Sequence, residues 1–447
     1  MIFKDFQNEK KFLLIIITLA IIIRIIGVII IGNFKYPQMY EHGDIARNMI
    51  GGFGYSMHFS YQPMNPEKKI IQKSAPKFEG AFIPPVNPYI IYYTFRIFGD
   101  NRTSYAILML LNSLFSTIGV LLVYLILKEM GYIKAAKIGA VFSAVFLPNV
   151  FGITTFSGSA LYQTLALAFI YFSIKCYQEQ KIISYVLCGF IGGLLSLLRS
   201  EFLIIGPIIF LSTFIYNITI RKNLKFSIKN LYNLTVFIFS FILIVSPWVY
   251  RNTMLFGEFT TIVSHPWHEM WRGNNKLATG GEYDIYGEKQ WLKKNRYPNI
   301  IKRIDSLPYN QNFELAIDSI LKKETLLYIK NNPFKTFYTM AKRMLFIWTI
   351  DIYNPRTRHP INVIFVFFTV IPTFIGLITL YKSGRIKKDY GVFIIFLSFL
   401  VLYTMLFTVV NLIGRYQIYL LNICHPLAGL GIYEILNKIF KKKSVII

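Results

Sequence analysis

The sequence predicts an all-α polytopic membrane protein with about ten transmembrane helices and two long extracytoplasmic loops. Three observations carry that expectation. Of the 447 residues, 54% are hydrophobic and only 16% charged, and the mean hydropathy is +0.46. A soluble domain of this size is less apolar and more charged. The apolar residues fall in repeated runs of the roughly 20 residues needed to cross a bilayer. The basic residues then alternate from one side of those runs to the other. In a chain of this kind a net charge of +26 is first a topology signal and not a nucleic-acid signal.

Run length places the spans near 12–32, 105–127, 135–151, 159–176, 183–199, 201–217, 231–249, 360–381, 390–411 and 416–436. The first follows Lys10-Lys11 with no small-residue cleavage site after it, so it reads as a retained anchor. The stretch Tyr89 to Phe98 is short for a span and reads as re-entrant or interfacial. With the N-terminus inside, the inner segments hold Lys4, Lys10 and Lys11; Lys128, Lys134 and Lys137; Lys175 and Lys181; Arg221 to Lys229; Lys382 to Lys388; and Lys438 to Lys443. The outer turn from Val150 to Gly158 holds no charge. This alternation puts both termini in the cytoplasm. It divides the chain into an N-terminal membrane module, 1–250, with a first outer loop at about 33–104; a large outer loop, 251–358; and C-terminal membrane helices, 359–447. Glycine and asparagine turns and helical stretches alternate in the large loop, as expected of a folded or interface-lying cap. Cys176, Cys188 and Cys424 lie in or beside apolar runs and suggest neither a disulfide framework nor a metal knuckle.

Polar residues collect at the outer ends of the spans. Glu41, His42 and Asp44 follow the first. Arg199 and Glu201 share a tight turn, Arg251 closes the seventh span, and Arg415 with Tyr416 opens the last. Charge at a bilayer rim is costly and is usually paired or functional. A carboxylate there takes a proton from an acceptor hydroxyl, and guanidiniums grip a phosphate bidentately. Acids and arginines at one level therefore suit attack on a phosphate-activated donor. Glu41 and Asp44 share one face if a helix starts at Glu41. That pair suits a general base or a divalent-cation site, and the sequence alone does not choose. Arg24, inside the first span, is expected to snorkel or pair within the bundle. Lys68, Lys69, Lys73 and Lys77 form a loose basic run, expected to be solvated or near a lipid phosphate.

An ordered series of short motifs then resembles a known group. Glu41 to Gly54-Tyr55-Ser56 resembles the acid, Ile-Ala, Gly-x-Gly-aromatic pattern after the first span. Pro84-Pro85-Val86-Asn87-Pro88-Tyr89, Leu197-Leu198-Arg199-Ser200-Glu201 and Pro247-Trp248 with Arg251-Asn252 follow in order. Glu269-Met270-Trp271-Arg272-Gly273-Asn274-Asn275, Asn332-Pro333 with Arg343 and Trp348, and Arg415-Tyr416 complete it. Together they resemble the GT-C superfamily of polyprenyl-phosphate-sugar-dependent glycosyltransferases. The nearest branch holds bacterial relatives of dolichyl-phosphate-mannose–protein mannosyltransferases and of the lipid A aminoarabinose transferase. The resemblance implies a GT-C-like bundle in a plasma membrane and inverting transfer on its outer face. The donor would be a polyprenyl-phosphate-linked sugar and the acceptor a glycan, lipid or protein; nucleic acid is not an expected partner. A first-loop acid acts as base: Glu41 is favoured for its spacing to Ile45-Ala46, with Asp44 beside it. Arg199, Arg251 and Arg415 are candidates for holding the carrier phosphate, and Glu201 and Tyr416 are further substrate-binding candidates. Glu269, Trp271, Asn274 and Asn275 fall to a loop that covers the site and recognises the acceptor. The mannosyltransferases usually carry adjacent Asp-Glu, whereas here His42-Gly43 separates the acids. Ser157-Gly158-Ser159 stands where relatives often carry an acid, and Tyr419 stands near a usual proline. Other readings of the same features are a lipid-linked sugar transporter or flippase, and an O-antigen polymerase or ligase.

Overall fold

The computed structural model describes residues 9–35, 37–57, 78–221, 224–290, 292–293, 295–387 and 390–443. The run containing Lys68, Lys69, Lys73 and Lys77 lies outside these residues. Among those described, no strand forms beyond isolated bridges, and every expected span is helical. They are α1 (Glu9–Ile31), α4 (Arg102–Glu129), the pair α5 (Ile133–Ala144) and α6 (Leu147–Ile153), α7 (Ser159–Glu179), α8 (Ile182–Leu198), α9 (Phe202–Arg221), α10 (Leu224–Phe256), α15 (Pro360–Lys387), α16 (Gly391–Val409) and α17 (Gly414–Lys443). Seven are long and apolar enough to cross a membrane, eight with the bent pair. Helices α8 and the apolar part of α9 are shorter. At about 1.5 Å per residue, the 17 residues of α8 rise only about 26 Å.

The expected span 135–151 is broken: α5 and α6 meet at a 51° bend. Pro148 sits in the first turn of α6, where its missing N–H leaves no intrahelical bond unmade. Phe146 is extended, so the last carbonyls of α5 lose their helical donors. Arg24 answers this. Its guanidinium is fully buried and donates to Ala144 O at 3.2 Å, to Ala20 O at 3.0 Å and to Ser116 Oγ at 2.8 Å. It does not snorkel; it pairs within the bundle, because a buried polar backbone in lipid requires an internal partner.

Among the described residues, two helices stand between α1 and α4: α2 (Tyr40–Ile50) and α3 (Val86–Phe98). With 13 residues, α3 is too short to span. It packs against α2, α4 and α8. The large loop carries α11 (Pro266–Gly273), α12 (Pro298–Asp305), α13 (Phe313–Asn331) and α14 (Pro333–Trp348). It has its own apolar core, in which Trp271, Leu277, Tyr297, Ile301, Ile304 and Leu321 pack together. The loop is therefore folded.

Candidate active site

Glu41 and Asp44 both lie on α2, so the helix required for a shared face is present. The helix opens on Tyr40, whose φ of +47° is left-handed. A non-glycine residue rarely adopts that backbone, and such strain concentrates at functional sites. Two contacts hold α2 in place: Arg47 Nε pairs with Asp100 at 2.6 Å, and Asn48 Nδ2 donates to Ser56 O at 2.8 Å.

His42 lies between the acids in sequence, and its imidazole is turned into the protein. Burial, with the fields of Arg415 and Arg199 added, holds its imidazole down at about 3. It is therefore neutral near pH 7, and its buried Nδ1 has no protein partner among the described residues. The two arginines converge on the aromatic start of α17. The Arg199 guanidinium stands 4.9 Å from the Tyr416 ring and 5.2 Å from the Tyr419 ring, and Arg415 stands 5.5 Å from Tyr416. Arg199 Nε donates to Glu201 at 3.0 Å, which leaves the other guanidinium nitrogens for a further anion. The turn without an acid, Ser157-Gly158-Ser159, joins the same place: Ser157 and Ser159 hydroxyls lie 2.8 Å apart, and Ser159 lies 3.0 Å from the Tyr419 hydroxyl.

The large loop fixes the start of α17 from three sides. Glu282 accepts from Gly414 N at 3.1 Å and from Asn354 Nδ2 at 2.6 Å, a carboxylate at a helix N-terminus where the dipole favours it. Gln417 Nε2 donates to Phe346 O at 2.9 Å. Asn411 Nδ2 donates to Glu269 at 3.3 Å. Sequence reading missed Glu282, because its partners lie 72 and 132 residues away.

Four sequence-derived residues sit differently from expectation. Arg251 is occupied: it pairs with Glu79 at 2.8 Å, donates to Gly80 O at 2.6 Å, and lies 4.8 Å from the Trp248 ring. Trp248 Nε1 and Asn252 Nδ2 both donate to Ile262 O, at 3.0 and 3.3 Å. This motif thus staples the two loops to the end of α10. Trp271 is buried against Tyr297 in the loop core. Asn274 is fully buried and bonded to Met270 O and Val409 O, at 2.8 and 2.9 Å. Asn275 bonds Trp271 O at 3.0 Å and accepts from the Tyr297 hydroxyl at 2.7 Å. Trp271, Asn274 and Asn275 are thus packed or bonded within the loop.

Glu269 is bound by Arg272 at 2.9 and 3.2 Å. Burial pushes its carboxyl up, but Arg272 and the neighbouring His268 and His265 outweigh this and leave it well below the usual range. Among the described residues no three His, Cys, Asp or Glu side chains gather as a metal site. Glu41 and Asp44 supply two carboxylates on one helix.

Residues 83–250 match the family model of dolichyl-phosphate-mannose-protein mannosyltransferase. The chain superposes on the Archaeoglobus fulgidus oligosaccharyltransferase in its apo form with a TM-score of 0.59 and 14% identity, over 99% of this chain and 52% of that one. Against the AglB oligosaccharyltransferase of the same organism, in complex with an inhibitory peptide and a dolichol-phosphate, the TM-score is 0.58 at 12% identity, over 98% and 52%. ArnT from Cupriavidus metallidurans bound to undecaprenyl phosphate aligns at 0.43 and 11% identity, over 94% and 77%. No curated protein compared with the chain matches it. The chain spans about half the length of the oligosaccharyltransferases. The fold defines a multi-pass helical membrane protein. More particularly, it is the fold seen in the Archaeoglobus fulgidus oligosaccharyltransferase.

Proposed function

We propose that the protein is an integral-membrane glycosyltransferase that moves one sugar from a polyprenyl-phosphate carrier to an acceptor hydroxyl, with inversion. The observation that supports it most is the meeting of three distant motifs. His42, flanked by Glu41 and Asp44, lies in the fields of Arg199 and Arg415, and both arginines lie over Tyr416. The order of the motifs, the mannosyltransferase family match and the shared fold point the same way.

In this reading Glu41 takes the acceptor hydroxyl's proton as its oxygen attacks the anomeric carbon. The bond to the carrier phosphate breaks on the opposite face, and polyprenyl phosphate leaves. Arg199 and Arg415 hold that phosphate and stabilise the charge it gains. Asp44 orients the acceptor. Neutral His42 adds a hydrogen bond without a third positive charge. Tyr416 and Tyr419 form the aromatic wall behind the guanidiniums, and Glu201 fixes Arg199. Glu269, Trp271, Asn274, Asn275 and Arg251 build and fasten the loop that covers the site. The alternation of basic residues supports a site on the outer face of the plasma membrane, with both termini in the cytoplasm.

Mass spectrometry of membrane glycolipids and glycoproteins, with and without the protein, tests this reading. A product heavier by a single sugar supports it. A whole oligosaccharide added at once argues for a polymerase or ligase. Lipid-linked sugar moved across proteoliposomes with no covalent product argues for a transporter.

A further inference from the structure

The side of α14 that faces away from the protein is apolar along its whole length. Phe334, Phe337, Tyr338, Ala341, Met344 and Leu345 recur at helical spacing and are exposed; Phe334 is 90% exposed and Phe337 74%. The opposite face is buried through Thr336, Thr339, Arg343, Phe346 and Ile347. A two-sided helix of this kind normally turns its apolar face inward, and an exposed patch of this type marks an interaction surface.

The buried face shows where the helix lies. Arg343 Nε donates to Thr408 O, in the last turn of α16, at 2.6 Å. Gln417, in the first turn of α17, donates to Phe346 O at 2.9 Å. Both α16 and α17 are membrane spans by length and composition. Helix α14 is therefore bound to the loop-side ends of two spans, at the edge of the bilayer. Its apolar stripe continues the lipid-facing surface of the bundle. The helix carries Lys335, Lys342 and Arg343 and no acid. Lys330 is exposed at the end of the preceding helix. Amphipathic helices with an apolar face and basic flanks lie in the lipid interface.

We infer that α14 is an interfacial helix whose Phe334–Leu345 stripe is buried in the lipid leaflet on the loop side. The bilayer then holds the helix that carries Arg343, and through it the Asn274 corner of the large loop. This holds whether or not the chain transfers sugars.

The test places an environment-sensitive fluorophore on Phe337→Cys in nanodiscs, with Ala341→Cys as a second site and Asp305→Cys, an exposed position at the end of α12, as control. The native cysteines are buried. Doxyl-labelled phosphatidylcholine should quench the Phe337 and Ala341 labels at least twofold and shift their emission to the blue, leaving Asp305 unchanged. Labels at 337 and 341 that behave as the one at 305 overturn the inference. So does protection seen only in discs with two copies, which assigns the stripe to a second chain. Unchanged elution and thermal transition confirm that each labelled variant is folded.

Discussion

Asn274 and Arg343, 69 residues apart in sequence, meet at 3.0 Å in the protein interior. The same guanidinium also binds Gly273 O and Thr408 O. One side chain thus closes the Gly-Asn-Asn turn onto the end of α16. Burial lowers its pKa to about 10, so it is still charged at pH 7 and needs every acceptor it has.

Arg343→Ala and Asn274→Ala should each destabilise the loop, Arg343→Ala by about 3 kcal/mol, since it leaves several buried carbonyls unpaired. The double variant should cost clearly less than the sum, with a coupling of about 1–2 kcal/mol. Unfolding in detergent, followed for all four proteins, gives the cycle; simple additivity would show that the contact contributes nothing.

Arg199→Lys should preserve the charge but lose the planar fork. Turnover is expected to fall by about 10–100-fold, corresponding to roughly 1.4–2.8 kcal/mol, with the thermal transition unchanged. Arg415→Lys should act in the same direction. If either variant only loses stability and keeps its turnover per folded molecule, that arginine is a structural ion-pair or aromatic-stacking partner.

Arg251 and Glu79 should behave as a clasp and not as substrate contacts. Arg251→Ala and Glu79→Ala should each expose the 78–82 segment to protease to a similar degree, and combining them should add little. The donor's KM should not change. A large rise in donor KM from Arg251→Lys alone would return Arg251 to the phosphate site.

Asp318 caps α11 by accepting from Trp267 N and His268 N, at 2.9 and 3.1 Å. Burial raises its pKa to about 7, against the ordinary 3.8. Because the folded value is raised, this group favours the folded loop fully below pH about 4. That contribution is lost as pH rises through 7. The full difference is about 4 kcal/mol at 1.36 kcal/mol per unit. Hydrogen exchange of the α11 amides should therefore accelerate between about pH 4 and 7 and level off above that, after correction for intrinsic exchange. In Asp318→Asn, whose amide oxygen still accepts both bonds, the corrected rate should be flat with pH.

The spans were legible because the bilayer forces long apolar runs and a charge alternation that any single sequence displays. The break after Ala144 was not: 135–151 reads as one apolar run, and Arg24, which satisfies the break, lies 120 residues away. The acids on α2 and the arginines at the span ends were legible through their cost at the rim. Trp271, Asn274 and Asn275 read as ligand contacts because polar and aromatic residues in a loop resemble a binding surface. Only tertiary packing shows that they form the loop's interior. Glu79, Glu282 and Glu314 left no local signal at all. Glu314, for instance, joins the loops by accepting from Ala81 N, 233 residues distant.

The most direct test of the central claim is transfer by the purified Glu41→Gln protein in nanodiscs. It would be supplied with polyprenyl-phosphate hexoses and pentoses and a membrane acceptor extract, and release of polyprenyl phosphate would be measured. The account predicts loss of release by at least about 100-fold, as for removal of a general base. Asp44→Asn should retain part of the activity, and both proteins should remain folded. Release at the wild-type rate by folded Glu41→Gln would contradict it.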